Sequence, residues 1–410
     1  MPGQPETTPG PIASQASRRT ILLLLGGLAL LGPLSVDFYL PAFSSIAHSM
    51  QVGPAQVQYT LTAYLFSYAV LSLWHGALSD TFGRRKVVIV SLVLFGVASL
   101  GCALAPDIGA LSVFRMLQGV AAGAGTVIGR AIIRDLYEGA PAARMLSMVS
   151  MIFAISPAFA PILGGWVVTA FEWRAIFYAL ALYTVTLLWF CMRYLPETLA
   201  PGERQSLAPA KLFRNYAKVF LSVGFQRGAG AIAVNFAGLF LTVAAAPLVL
   251  GEHLGLSANQ FGWHFVPMVG GIFLGSLAAD RLAGKFGLQR QIGIGFAVML
   301  AGAGANLLYH AVLPPALPWS VAPIFFYASG MSLAAPGLTL TVLDLFPDVR
   351  GVVASMQSFS MVMLTAIVTA VAAPALQHSM FYLALGQLAF GLAGLVLWLP
   401  GLARRSLPPP

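Results

Sequence analysis

Twelve apolar runs are the feature that most constrains what this chain can fold into. A run of roughly 20 apolar residues is long enough to cross a hydrocarbon core of about 30 Å as a helix. Charged residues, proline or glycine lie in or at the edge of every gap between the runs. The runs cover residues 20–46, 58–79, 87–105, 109–132, 146–169, 175–194, 229–250, 262–281, 291–311, 318–340, 352–374 and 379–399.

The composition indicates that these runs span a membrane. Of the 410 residues, 58% are hydrophobic and only 9% are charged, whereas soluble domains carry about 25% charged residues. The sequence therefore predicts an all-α polytopic membrane protein with 12 transmembrane helices, which the lipid bilayer surrounds.

The basic residues predict the orientation, because positively charged loops stay in the cytoplasm. With both termini cytoplasmic, 20 of the 22 Lys and Arg residues fall on or beside the cytoplasmic side, and only Arg115 and Arg174 do not. The net charge of +9 thus follows from topology. A nucleic-acid partner is excluded, since it would need the basic residues on a soluble domain with its own core.

The longest polar stretch divides the spans six and six. Its second half alternates apolar and basic residues as an interfacial amphipathic helix does. One alternative for the start of the chain is a twin-arginine export signal at Arg18 and Arg19, but the following run is long and eleven more follow it. The predicted organisation is a disordered cytoplasmic tail (1–19), an N-terminal bundle (20–195), a cytoplasmic linker with an amphipathic helix (196–227), a C-terminal bundle (228–400) and a cytoplasmic tail (401–410).

A short motif occurs once in each half. Residues 76–86 (GALSDTFGRRK) end the second run, and residues 276–285 (SLAADRLAGK) end the eighth in a degraded copy. Internal repetition of this kind is typical of secondary transporters, whose two halves move about a central binding site.

Further motifs resemble those of the major facilitator superfamily across nearly the whole chain. Residues 76–86 match its signature between spans 2 and 3, and residues 115–119 (RMLQG) match its span 4 motif. Within the superfamily the chain most resembles the Bcr/CflA group of bacterial drug exporters. The segments that carry this second resemblance are 37–42 (DFYLPA), 134–137 (RDLY), 156–165 (SPAFAPILGG), 173–174 (WR) and 342–347 (VLDLFP).

The resemblance implies two six-helix bundles, multi-pass insertion in the bacterial inner membrane, and a drug:proton antiporter. It implies no cofactor other than the proton gradient, and we expect a monomer. A nucleotide-binding loop of the G-x-x-x-x-G-K-S/T type does not occur in the sequence, so direct use of ATP is not expected.

Asp37 and Arg115 are the candidates for proton coupling. Both lie well inside predicted spans, where ionisable groups are costly and usually functional, and they approach a similar depth from opposite directions. One interpretation is a fixed ion pair that merely satisfies both charges. The other is that the carboxyl of Asp37 binds a proton on one side and releases it on the other, as its burial and its distance from Arg115 change with conformation.

The loop signature implies a gate. Asp80 could be a solvated charge at the end of its helix, or it could accept hydrogen bonds from the amides that begin span 11 near Gly351. Arg84 could pair with Asp135, so that the set would close the cytoplasmic side. Gly83 would allow the tight turn. The gating residues of the signature are Asp80, Gly83, Arg84, Arg85 and Asp135.

Span 5 carries the two-proline form of the superfamily's antiporter motif. Pro157 and Pro161 each remove a backbone donor and should bend the helix at the gate between the halves. Gly164 and Gly165 permit close contact with another helix, which packing alone would explain.

Aromatic and amide side chains on spans 1, 4 and 7 are candidate drug contacts. Ordinary packing explains each of them equally well, and both interpretations stay open. The candidates are Tyr39, Gln118, Asn235, Phe236 and Phe240.

The sequence thus favours proton-coupled export of lipophilic drugs or antibiotics by alternating access. The alternative is export of a physiological metabolite, such as a sugar, amino acid or polyamine, with drug efflux incidental. An enzyme is not expected, because no clustered catalytic residues and no metal-ligand spacing occur in the sequence.

Overall fold

The computed structural model describes residues 17–200, 202, 204, 209–282 and 287–403. Residues 1–16 and 404–410 of the two predicted tails lie outside the described residues, as do positions 284 and 285 of the second loop motif.

All twelve predicted spans are present, which confirms the all-α membrane fold. The helices of the described chain are α1 (Arg18–Asp37), α2 (Phe43–Met50), α3 (Pro54–Phe82), α4 (Arg84–Ala103), α5 (Ile108–Leu136), α6 (Gly139–Ala170), α7 (Arg174–Tyr194), α8 (Pro209–Phe220), α9 (Val223–Leu248), α10 (Gly262–Leu282), α11 (Leu288–Val312), α12 (Ala322–Asp344), α13 (Arg350–Ile367), α14 (Ala373–Leu376) and α15 (Met380–Ala403). The first span comprises α1 and α2, the eleventh comprises α13 and α14, and α8 lies between the halves.

The first span is not the single helix that the run 20–46 predicted. It begins at Arg18, where Ser17 caps the first turn, and α1 ends at Asp37. A short 3-10 turn over Leu40–Ala42 then connects it to α2. The interruption follows from Pro41, which has no N–H to donate to the carbonyl four residues earlier, that of Asp37.

Two spans contain π-helical turns. They follow α9 at Val249–His253 and α13 at Val368–Ala372. Each π turn inserts one residue into the helical repeat and is frequent at functional sites. Both lie near the same end of the molecule as α2.

Each half packs first against itself. In the N-terminal half α5 contacts α1, α3 and α4, and α7 packs on α4; in the C-terminal half α12 lies between α10 and α11, and α15 packs on α9 and α11. Between the halves, α3 contacts α13 and α6 contacts α10. We call the end that holds Arg18, Gly83 and α8 the linker side.

The predicted linker 196–227 holds α8, but α9 already begins at Val223. Ser222 explains this start, because its hydroxyl accepts a hydrogen bond from the amide of Phe225 and so caps the helix.

Glycines allow α11 and α12 to approach backbone to backbone. A Cβ placed on Gly295 would clash with the carbonyl oxygen of Gly330, and it would lie 2.8 Å from the amide nitrogen and the methyl of Ala334. Small residues at such contacts are the usual means by which membrane helices pack tightly.

We predict that Gly295→Ala destabilises the protein, because added volume in a packed contact typically costs about 1–3 kcal/mol. Gly304→Ala on the same helix is the matched control, since its Cβ would have no neighbour within 4 Å and alanine favours a helix by roughly 0.5–1 kcal/mol. Thermal unfolding in detergent should show a lower midpoint for the first variant only. Equal midpoints would contradict the packing argument.

Candidate functional site

A cavity of about 810 Å³ lies between the two halves on the linker side. It extends from Ser72, near the middle of α3, to Arg84 at the end of the molecule. Its walls come from α3, α5, α8 and α13. The lining residues are Ser72, Leu73, Gly76, Ala77, Asp80, Thr81, Arg84, Val127, Arg130, Ala131, Arg134, Leu212, Asn215, Tyr216, Gly351, Val352, Ala354, Ser355 and Ser358.

The opposite side is closed by contacts between the halves. A Cβ on Gly165 of α6 would clash with the backbone of Ala258, just before α10. Gln58 at the start of α3 donates a hydrogen bond of 3.2 Å to the carbonyl of Ala244 in α9. The cavity therefore opens toward one side only in this conformation.

Helix α8 crosses beside the mouth of the cavity. The hydroxyl of Tyr216 donates a hydrogen bond of 2.7 Å to the carbonyl of Leu73 in α3. Burial raises the pKa of Tyr216 to about 12, above the usual phenol value, at which the hydroxyl is already protonated at neutral pH. Phe213 contacts the ring of Trp74 edge to face, 5.5 Å between centroids. The linker helix thus bonds to the N-terminal half, while it also packs on α13 and α9 of the C-terminal half.

Asp37 is buried at the point where the first span breaks. Its residue surface is 6% exposed, and the hydroxyl of Ser156 donates a hydrogen bond of 3.3 Å to its Oδ2. Among the described residues, the ion pairs within 4 Å are Arg84 with Asp80, Arg84 with Asp135, and Arg350 with Asp344. The carboxylate of Asp37 is not in that set, so the fixed ion pair with Arg115 is not formed here.

Arg115 is held by neutral groups instead. Its Nη1 donates to the carbonyl of Ser35 at 3.2 Å and to Oε1 of Gln118 at 2.8 Å. The guanidinium carbon lies 4.5 Å from the ring centre of Tyr39 and 4.4 Å from that of Tyr64. Aromatic faces attract a cation, which stabilises this fully buried charge within the N-terminal half.

The loop signature forms a network on the linker side. Arg84, whose side chain is 10% exposed, pairs with Asp80 and, at 3.2 Å, with Asp135. The hydroxyl of Thr198 donates to the same oxygen of Asp135 at 2.7 Å. The Arg84–Asp135 pair considered from the sequence is therefore present. Asp80 makes no hydrogen bond to Gly351 in the described structure, although both residues line the cavity.

The turn of the signature requires its glycine. Gly83 has φ +96°, which side chains rarely adopt, and Glu197 occupies the space that a Cβ would need. The next residues are fixed as well: the amide of Arg84 donates to Oε1 of Glu197 at 2.9 Å, and the guanidinium of Arg85 donates to the carbonyl of Met192.

The two prolines of span 5 lie inside one helix. α6 runs through Pro157 and Pro161 without interruption. The two following glycines differ in what they contact: Gly164 approaches the carbonyl of Phe38, and Gly165 approaches Ala258 in the other half. Their close contacts therefore place α6 against the break in the first span and against the closed side.

The structure does not bring the five candidate drug contacts together. Tyr39 and Gln118 are fully buried in the N-terminal half, where Tyr39 hydrogen bonds to Thr60 and Gln118 donates to Ser99. The side chain of Asn235 points at Gly394 in α15. Phe236 and Phe240 are half-buried and stack, with 6.1 Å between ring centroids.

Sequence reasoning missed several residues of this site. Ser156, the hydrogen-bond partner of Asp37, directly precedes Pro157 and could have been noted as a hydroxyl in an apolar span. Arg130 and Arg134 line the cavity, and their spacing of four residues places them on one face of α5. Among the described residues, no group of three or more His, Cys, Asp or Glu side chains is placed to hold a metal ion.

Comparison with known proteins gives consistent similarities. Residues 23–370 match the profile of the Major Facilitator Superfamily. The chain is 28% identical to the Bicyclomycin resistance protein homolog of Haemophilus influenzae, over 82% of this chain and 84% of that protein. It is 27% identical to Multidrug resistance protein D of Escherichia coli, over 94% and 96%.

A third relative is the Multidrug transporter MdfA of Edwardsiella ictaluri, 30% identical over 77% of this chain and 79% of that protein. Among solved structures, the crystal structure of the D-xylose-proton symporter superposes with a TM-score of 0.70 at 16% identity, covering 93% of this chain and 98% of that one. At that identity the likeness concerns the fold alone. These relatives and this structural neighbour are transport and resistance proteins rather than enzymes.

We predict that Arg84→Gln destabilises the protein, because it leaves the carboxylate of Asp135, whose side chain is 22% exposed, without its charged partner, which costs roughly 1–3 kcal/mol. The control is Arg350→Gln, whose pair with Asp344 is 59% and 60% exposed and should contribute about 0–1 kcal/mol. Thermal unfolding in detergent should show a clear loss for Arg84→Gln and almost none for the control. A similar midpoint for both variants would show that the network does not stabilise the fold.

Proposed function

Because this chain belongs to the Major Facilitator Superfamily, we propose that it exports lipophilic drugs or antibiotics across the bacterial inner membrane in exchange for protons. The observation that carries the coupling is Asp37, a buried carboxylate with a single hydroxyl as its hydrogen-bond partner. The names of the relatives, which are bicyclomycin and multidrug resistance proteins, support the substrate class.

The linker side is cytoplasmic in this proposal. The basic residues gather on that side, as the distribution of positive charge in membrane proteins requires. The cavity then faces the cytoplasm while the periplasmic side is closed. This conformation is the one in which a monomer of the exporter takes up its substrate.

Asp37 carries the proton. In the conformation described, Arg115 contacts tyrosine rings, a carbonyl and an amide oxygen, and no described cation lies within 4 Å of the carboxylate of Asp37. Two of the guanidinium donors, Nε and Nη2, have no hydrogen-bond partner among the described residues. A shift of the first span at its break would change the distance between the two charges and with it the proton affinity of the carboxyl.

The proton gradient supplies enough free energy for this exchange. One proton that enters down about 150 mV releases roughly 3.5 kcal/mol, at about 2.3 kcal/mol per charge per 100 mV. That corresponds to a substrate gradient of about a few hundred fold, since about 1.4 kcal/mol is one factor of ten.

Residues of the loop signature form the gate on the cytoplasmic side. Asp80 is paired with Arg84 and lies across the cavity mouth from Gly351, at the start of α13. When the mouth closes, the carboxylate reaches the first amides of α13, where the helix dipole favours an anion. This new contact between Asp80 and α13 then stabilises the outward-facing conformation.

We predict that Asp37→Asn abolishes proton movement triggered by the substrate, because the amide cannot bind and release a proton. The measurement is the internal pH of proteoliposomes after addition of candidate drugs. Glu172→Gln is the matched control, since it removes an exposed carboxylate in the short connection between α6 and α7. Proton movement that survives in Asp37→Asn would assign the proton site to another residue.

We predict that Asp80→Asn reduces transport severalfold while the melting temperature changes little, because the carboxylate is 39% exposed and its role is to close the mouth. Uptake of a fluorescent drug into inverted vesicles and thermal unfolding would be measured on the same preparation. Wild-type turnover in the variant would leave Asp80 as a solvated end charge.

A further inference from the structure

Among the charged side chains that line the cavity, basic residues outnumber acidic ones. Three are arginines and one is an aspartate, a formal surplus of two positive charges. Asp80 and Arg84 bind each other, so the surplus resides on Arg130 and Arg134. A narrow opening between low-dielectric walls concentrates such a field.

Arg130 and Arg134 lie on α5, four residues apart, and their side chains share one face. Both are exposed, and both line the cavity. Neither has a carboxylate within 4 Å among the described residues. Their guanidinium groups are therefore available to an anion in the cavity.

Arg130 lies one helical turn further from the end of α5 than Arg134. It stands six residues before Leu136, the end of α5, which is about 9 Å along the helix. Positive charge at the cytoplasmic edge of a membrane protein is ordinary, but Arg130 also lines the cavity between the halves, where a charged side chain is a candidate part of a pathway or binding site.

Apart from Asp80, which is paired with Arg84, the cavity walls carry no acidic side chain among the lining residues. Asn215 comes from α8, Ser355 and Ser358 come from α13, and Ser72 comes from α3. Hydroxyl and amide groups can complete the hydrogen bonds of an anion. They offer no carboxylate that would attract a cation.

We propose that this cavity selects amphipathic substrates that carry an acidic group, a carboxylate or phosphate bound by Arg130 and Arg134. The planar guanidinium matches both groups with paired hydrogen bonds. The proposal rests on the export function given above and names the substrate class of the same site. The acidic group can belong to a dissolved substrate or to an anionic lipid headgroup.

The experiment compares three fluorescent probes that share one dansyl body: dansylglycine (anionic), dansylglycinamide (neutral) and dansylcadaverine (cationic). Binding to the full chain is measured by dansyl emission in nanodiscs of pure phosphatidylcholine, with empty nanodiscs subtracted. We expect dansylglycine to bind at least tenfold more tightly than dansylglycinamide and dansylcadaverine to bind most weakly.

Arg130→Gln should reduce that preference about tenfold, and Arg130→Lys, which keeps the charge, should retain most of it. Arg290→Gln is the matched control, because Arg290 is exposed on the linker side and does not line the cavity. Equal binding of the three probes would overturn the proposal. So would a preference that Arg130→Gln leaves intact in protein that elutes as a single peak in gel filtration.

A second set of nanodiscs with phosphatidylglycerol distinguishes the two sources of the acid. An unchanged preference supports a dissolved substrate, and a preference abolished by the added lipid supports a headgroup in the same site. Proton movement in proteoliposomes separates this proposal from the export function. If the protein exchanges drug for protons but shows no preference for the anionic probe, only the proposed substrate class is wrong. If it prefers the anionic probe but moves no protons, the anion site stands and the proposed export mechanism is wrong.

Discussion

Inside a bilayer no water is available to the backbone, so each span must satisfy its own N–H and C=O groups. This constraint accounts for the twelve helices and for the short connections between them. Places where a span leaves a backbone group without its helical partner are therefore of interest. In the first span Pro41 removes the donor for the carbonyl of Asp37, and the break falls beside the one buried carboxylate that we assign to proton transfer.

The departures from regular helix and the closed contacts occur together. The break after α1 and the two π-helical segments, Val249–His253 and Val368–Ala372, lie in the spans that meet across the closed side. The open side is built from the ends of α3, α5 and α13, a 3-10 turn over Pro347–Val349 that precedes α13, and α8. The two sides of the molecule thus differ in kind: one has irregular backbone in tight contact, and the other has charged side chains around a cavity.

Local sequence patterns predicted the spans and several turns of this structure. The features that they could not predict depend on packing between residues far apart in the sequence. Run length determined the spans, and the turn at Gly83 followed from its motif. Which face of a helix meets which neighbour depends on contacts far apart in sequence, so Tyr39 and Gln118 were candidates for the cavity although both are enclosed in one half. The charge of Arg130 was counted for topology, but only the packing of α5 shows that it faces the cavity.

The contact between Gly165 and Ala258 has a consequence for the evolution of such proteins. The closed side is sealed there by two backbones, and the seal depends on the absence of a side chain. The cavity, in contrast, is lined by side chains at other positions. A substitution in the cavity wall therefore leaves the seal intact, whereas any side chain at position 165 would force the two halves apart on the closed side.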